Sequence, residues 1–122
     1  MKKILIVDDD PEIVEFVVQF LSSQSYDVLS AANGKEGCAR ASETKPDLII
    51  LDLMMPDMHG FEVCTALRKD QNLSKVKIIV ASGKKYEADK RAAQRLGADM
   101  FLSKPYSITQ LLDAVYALVG KP

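Results

Sequence analysis

Short apolar runs rich in β-formers occupy residues 4–7, 27–31, 48–51, 77–81 and 100–102, and stretches with helical signals separate them. Alternation of this kind predicts βαβ units with right-handed crossovers, and hence a parallel sheet covered by helices on both faces. Ile4-Leu5-Ile6-Val7 and Leu48-Ile49-Ile50-Leu51 are apolar at every position. A strand wet on one face would alternate, so both read as central strands.

Starts and stops place the helices. Asp10 is a cap for the first, with Pro11 in the first turn, where no amide is needed, and an end near Ser23. Asn33-Gly34 opens the second, and Pro46 keeps it from running into the third strand. The third is expected over 61–69 and the fourth over 87–96, stopped by Gly97. Ser107 caps the fifth, where Ile108, Leu111, Leu112, Val115, Leu118 and Val119 form an apolar stripe at helical spacing. With no linker, repeat or low-complexity segment, the sequence predicts one α/β domain over residues 1–122.

Composition narrows the function classes. Sixteen Lys and Arg stand against 17 Asp and Glu, a net charge of −1, so no global field draws the chain to nucleic acid or an anionic membrane. The longest apolar run, 114–119, is far short of a membrane span. Met1-Lys2-Lys3 before the first apolar run resembles the start of a signal peptide, but Asp8-Asp9-Asp10 cuts that run after four residues. Cys38, Cys64 and the lone His59 make neither a zinc site nor a disulfide framework; two core thiols in a reducing cytoplasm are expected.

In an open parallel sheet, ligands bind beyond the carboxyl ends of the strands. The first strand is followed by Asp8-Asp9-Asp10, the third by Asp52 and Leu53-Met54-Met55-Pro56-Asp57, the fourth by Ser82-Gly83 and the fifth by Ser103-Lys104-Pro105. Asp8, Asp9 and Asp52 would converge on one edge. Carboxylates that close raise one another's pKa and weaken the fold unless a cation neutralises them. Oxygen ligands without His or thiolate favour Mg²⁺, which keeps several waters and completes its shell with a phosphate. Lys104 offers a point charge for a phosphoryl oxygen, and a cis bond before Pro105 would aim it inward. Ser82 adds a hydroxyl, and Gly83 lets a backbone amide approach an anion.

These residues, in this order, resemble a response-regulator receiver domain of two-component signalling over essentially the whole chain. They are Ile4-Leu5-Ile6-Val7-Asp8-Asp9-Asp10, Pro46-Asp47-Leu48-Ile49-Ile50-Leu51-Asp52-Leu53-Met54-Met55-Pro56 with Gly60, Ala81-Ser82, Gly97-Ala98-Asp99 and Lys104-Pro105. The resemblance implies a flavodoxin-like doubly wound sheet of five parallel strands in the order 2-1-3-4-5, with five helices. It implies that Asp52 is the phosphoacceptor and that Asp9 binds Mg²⁺ (or Mn²⁺) directly. Asp8 would help through water, and the Met54 backbone carbonyl would supply a further ligand. Lys104, Ser82 and Gly83 would hold the phosphoryl group, with Ser82 and Phe101 as switch residues on a bistable surface of the fourth helix, fifth strand and fifth helix. The partners implied are a sensor histidine kinase or phosphotransfer protein and a downstream protein or linked output domain. Phosphorylation-dependent homodimerisation is a further expectation, with no direct nucleic-acid or membrane contact. The domain would catalyse only its own phosphorylation and dephosphorylation, in the cytoplasm.

Departures accompany the match. Ser82 stands where many relatives have threonine, Phe101 where many have tyrosine, and Tyr106 where phenylalanine often follows Lys-Pro. Met54 and Lys84 occupy positions linked in the family to dephosphorylation speed. Three alternatives stay open from the residues. One is a small Mg²⁺-dependent phosphatase of the haloacid-dehalogenase type using Asp8 and Asp10, although Glu12 stands where that family expects threonine or valine. The others are a flavodoxin-like cofactor binder, disfavoured because the acids after the first strand repel phosphate, and a degenerate receiver acting only as a scaffold.

Overall fold

The structure, a computed structural model, describes residues 1–83 and 87–122, with the side chains of 87–89 outside that description. Lys84 therefore lies outside the described residues. The chain runs β1 (Lys3–Val7), α1 (Pro11–Ser23), β2 (Asp27–Ala31), α2 (Gly34–Thr44), β3 (Leu48–Asp52) and α3 (Gly60–Lys69). A single 3-10 turn at Gln71–Leu73 precedes β4 (Lys77–Ser82), α4 (Glu87–Arg95), β5 (Met100–Ser103) and α5 (Ile108–Val119). All four strand pairings are parallel, in the order β2-β1-β3-β4-β5. This is the doubly wound, flavodoxin-like fold that the resemblance implies.

Strand burial explains the order. Every residue of β3 is buried, as is β1 from Ile4 onward, because helices cover both faces there. The edge strands β2 and β5 are mostly half-buried. Alternate residues feed two cores. Leu5, Val7, Ile49, Leu51, Ile78 and Val80 face α2, α3 and α4 through Ala41, Val63, Cys64, Leu67 and Ala93. Ile4, Ile6, Leu48, Ile50 and Ile79 face α1 and α5 through Val17, Leu21, Leu111 and Val115. Each fully buried aliphatic side chain contributes roughly 1.5–3 kcal/mol of transfer free energy, which fixes the sheet as the rigid platform beneath the loops.

Helix starts follow the expected chemistry at three places. Asp10 Oδ1 accepts from the amide of Glu12 at 3.0 Å, and Asn33 Oδ1 accepts from Glu36 at 2.9 Å. Ser107 and Gln110 form a reciprocal capping box. The third helix begins one residue earlier than expected. His59 is its cap, its Nδ1 accepting from the Phe61 amide at 3.2 Å, while Glu62 Oε1 accepts from the His59 amide. That first turn lies against the backbone of the third strand's end. A Cβ at Gly60 would come within 2.7 Å of Leu53 Cα and 2.8 Å of the Asp52 carbonyl oxygen, and backbone cannot give way. Of the two cysteines, Cys64 is buried and Cys38 half-buried.

At the opposite end of the sheet, Arg68 is a hub. Its guanidinium donates to the carbonyls of Gly97, Ser74 and Val76 and pairs with Asp99 at 3.0 Å. Asp99 Oδ2 also accepts from the Ile78 amide at 2.8 Å. Gly97, at φ +100°, adopts a left-handed conformation, and a Cβ there would strike Arg68.

Candidate functional site

Three strand ends meet at one edge. Asp8 follows β1, with its amide donating to Ala31 O at 3.1 Å. Asp52 closes β3, opposite Ala81 of β4. Ser82 closes β4, paired with Ser103. Because parallel strands in register end together, residues far apart in sequence become neighbours here.

One carboxylate oxygen from each of Asp8, Asp9 and Asp52 lies within 4.8 Å of the other two. Asp8 is 3% exposed and Asp52 7%, whereas Asp9 is open to solvent. Lys104 Nζ bridges the buried pair, 2.8 Å from Asp8 Oδ2 and 3.2 Å from Asp52 Oδ1. The Lys104-Pro105 bond is cis, and the Lys104 amide donates to Ser82 O at 2.7 Å. Asp8 has a second tie, its Oδ1 accepting from the Asp10 amide at 2.9 Å. The lysine expected to meet a phosphoryl oxygen thus spans two acids.

Charge and burial compete at this edge. Burial pushes the Asp52 carboxyl above the ordinary range, and the charge of Asp8 adds to that. Lys104 and a backbone hydrogen bond from Met54 pull the other way without overcoming it. Burial alone would lower the Lys104 ammonium, but the hydrogen bond to Asp8 and the charges of Asp52 and Asp8 raise it. Two buried carboxylates share the Lys104 ammonium and an exposed third adjoins them, so among the described residues the edge holds surplus negative charge.

That surplus fits a hard divalent cation. The donor set is three carboxylates with no His or Cys among them, the set Mg²⁺ and Mn²⁺ take. Asp9 is the acid open to solvent, while Asp8 is already engaged by Lys104 and the Asp10 amide.

The remaining candidates sit around this edge. Ser82 is buried at 1% exposure beside Asp52's strand. Gly83 is exposed, and a Cβ there would meet nothing within 4 Å, so packing does not require glycine. Met54 has an exposed side chain while its backbone reaches Asp52. Phe101, half-buried on β5, packs against the core shared with α2, α3 and α4. Asp10 stands apart from the acid cluster because its carboxylate caps α1.

Two residues near the edge had no role in the sequence. Tyr106 has a buried hydroxyl oxygen without a hydrogen-bond partner among the described residues. Burial pushes its phenol up to about 12; Lys104 opposes that, and the charges of Asp8 and Asp52 add to it. Its ring lines a cavity of about 260 Å³ with Ile13, Phe16, Lys104 and Pro105. Asp57, in the loop after β3, accepts from the amides of Gly34 and Lys35 at the start of α2. No local sequence signal marks either feature, since both depend on which loops the fold brings together.

The response regulator receiver domain family matches residues 4–116. The chain is 40% identical over 121 residues to "DNA-binding dual master transcriptional regulator RpaA" of Synechocystis, covering 99% of this chain and 50% of that protein. It is 36% identical to "Protein PilH" of Pseudomonas aeruginosa, covering 98% of this chain and 99% of that protein. The chain thus spans about half the length of some curated relatives and nearly all of another. Among solved structures, Vibrio cholerae chemotaxis protein CheY4 superposes with a TM-score of 0.94 at 32% identity, covering 98% of this chain and 99% of that one. These matches give the haloacid-dehalogenase alternative no support.

Proposed function

The chain belongs to the response-regulator receiver family, the phosphoacceptor switches of two-component signalling, and from that membership we propose that Asp52 takes the phosphoryl group, with residues 1–122 acting as one receiver unit. The observation that carries this reading is the Lys104 bridge. A cation 3.2 Å from Asp52 and 2.8 Å from Asp8 sits where charge must be balanced when a phosphoryl group arrives.

The chemistry follows from the residues. A carboxylate oxygen of Asp52 attacks the phosphorus of a phosphohistidine on a partner kinase or phosphotransfer protein. The new O–P bond forms as the P–N bond breaks, and the imidazole nitrogen leaves with the electron pair. The transition state is loose, with charge spread over the equatorial oxygens, so positioning and cationic stabilisation dominate. Lys104 supplies one positive charge, and the Ser82 hydroxyl and Gly83 amide donate to phosphoryl oxygens. Asp9, Asp52 and the Met54 carbonyl, with Asp8 beside them, would hold Mg²⁺, which would supply the remaining positive charge that the transferring group needs. Attack of water on the acyl phosphate releases inorganic phosphate and restores the carboxylate, so the domain turns over only its own phosphoryl group.

Phosphorylation replaces the single charge of the Asp52 carboxylate by close to two, a net gain of about one negative charge at the edge. Lys104 is then drawn from Asp8 toward the phosphoryl oxygens, and Ser82 follows. Phe101 turns inward, and the surface of α4, β5 and α5 presents a different face to a downstream protein, a linked output domain or a second copy. Among the described residues no helix is long and apolar enough to cross a membrane, and the reading places the chain in the cytoplasm with its kinase. The test is labelling by a small phosphodonor such as acetyl phosphate in the presence of Mg²⁺. The parent should be labelled and Asp52→Asn should not. Undiminished Mg²⁺-dependent labelling of the variant would reject the assignment.

A further inference from the structure

The loop 53–59 joins the end of β3 to the start of α3, and its two ends are fixed by backbone. The Leu53 amide donates to Ala81 O at 3.0 Å, and the Gly60 amide donates to Leu53 O at 2.8 Å. The middle is held from a different element. Asp57 is exposed, yet both its carboxylate oxygens are engaged. Oδ1 accepts from the Gly34 amide and Oδ2 from the Lys35 amide, each at 3.0 Å. Those are the first two amides of α2, which have no partner within the helix. The positive end of the helix dipole favours the carboxylate. The same two bonds, Lys35's first, hold the Asp57 carboxyl below its ordinary range. Packing reinforces the tie: a Cβ at Gly34 would collide with the side chain of Met58, the next residue in the loop.

What the tie controls lies three residues upstream. The Met54 backbone hydrogen-bonds the Asp52 carboxylate, and its carbonyl is a metal ligand in the reading above. Pro56, between Met54 and Asp57, has no amide to donate. Among the described residues, the bonds to Asp57 are the side-chain hydrogen bonds that fasten 54–58 to another element.

We propose that Asp57 is a positioning residue for phosphoryl transfer, strapping the loop 53–59 to the first turn of α2 so that Met54 is held against Asp52 at the metal-binding edge. The proposal rests on the receiver reading of that edge. Asp57 does not touch the reacting atoms; it sets the fraction of molecules whose loop is competent. Apparent affinity falls in proportion to that fraction, so a loop competent about one-fifth of the time raises the apparent dissociation constant about fivefold.

The full chain carrying Asp57→Ala or Asp57→Asn is titrated with Mg²⁺ alone, following backbone amide resonances. Acetyl phosphate labelling is measured at low and saturating Mg²⁺. The Gly34 and Lys35 amide signals report the strap itself. Asp57→Ala should shift them and raise the Mg²⁺ half-saturation about fivefold. Saturating Mg²⁺ should recover most of the labelling rate, and Asp57→Asn, which keeps one acceptor, should fall between. Shifted Gly34 and Lys35 signals with Mg²⁺ half-saturation within twofold of the parent would overturn the proposal. Should the alanine variant not fold, the same comparison in Asp57→Asn decides it. A failure of the receiver reading looks different: the parent itself then shows neither Mg²⁺ binding at the acid edge nor labelling, and both proposals fall.

Discussion

Replacing Asp52 by asparagine should stabilise the protein in the absence of divalent metal, although it removes a buried ion-pair partner. Asp52 lies 3.2 Å from the Lys104 ammonium, an attraction of about 5 kcal/mol at an effective dielectric of roughly 20. Against it stands the repulsion of Asp8, an oxygen of which lies within 4.8 Å, worth about 3.5 kcal/mol on the same basis, with a screened addition from exposed Asp9. Those terms nearly cancel, so desolvation of a carboxylate only 7% exposed decides the sign. Lys104 keeps its bond to Asp8 at 2.8 Å in the variant, so no ammonium is stranded. Replacing a whole buried ion pair by apolar residues gains about 1–4 kcal/mol; here one acid of two is removed and Lys104 keeps the other, so the net expectation is the low end of that range, a gain of about 1 kcal/mol. For a chain this size each kcal/mol is about 3–6 °C in melting temperature. Thermal unfolding with a metal chelator present reads the effect directly. Added Mg²⁺ at about a hundredfold excess over its dissociation constant should stabilise the parent by about 2.7 kcal/mol and the variant by much less, narrowing or reversing the gap. A variant that melts at or below the parent without metal, and gains as much from Mg²⁺, would refute the reasoning.

Other outcomes follow from the same structure. Tyr106→Phe removes a buried hydroxyl with no partner among the described residues and should raise stability by about 1–3 kcal/mol; a loss on denaturant unfolding would mean the hydroxyl is bonded in solution. Arg68→Ala breaks the ties to Gly97, Ser74, Val76 and Asp99 and should cost about 2–3 kcal/mol while the folded fraction labels at the parent rate; unchanged stability would contradict the hub. Asp52 has a folded pKa above its unfolded one, so its contribution to stability falls as pH rises through the folded value. Mg²⁺ competes with that proton, so the metal-induced melting shift should grow as pH rises through the same range; a shift independent of pH would place the metal away from Asp52.

Much of the architecture is legible before any coordinates because its strands have unequal burial. β1 and β3 are apolar at nearly every position, which only strands covered on both faces can sustain. The edge strand Asp27–Ala31 is only partly apolar, in keeping with its half-buried residues, so its signal is weaker. Strand order came from the family resemblance and not from the residues. The acid edge is legible because each acid directly follows an apolar strand. Contacts between loops are not. Histidine is a rare helix cap, so His59 gives no signal at the start of α3. Asp57 reads as an ordinary turn residue until the fold sets it against α2. Lys104 illustrates the limit of motif reasoning: its type and position imply an anion, but only the geometry shows it spanning both Asp8 and Asp52.

The central claim is that Asp8, Asp9 and Asp52 form a single divalent-cation site beside Lys104. An anomalous difference map from crystals soaked in Mn²⁺ tests it most directly. A single peak at about 2.0–2.3 Å from oxygens of Asp9 and Asp52 is the predicted result. An empty acid edge at saturating Mn²⁺, or a peak elsewhere in the chain, would contradict it.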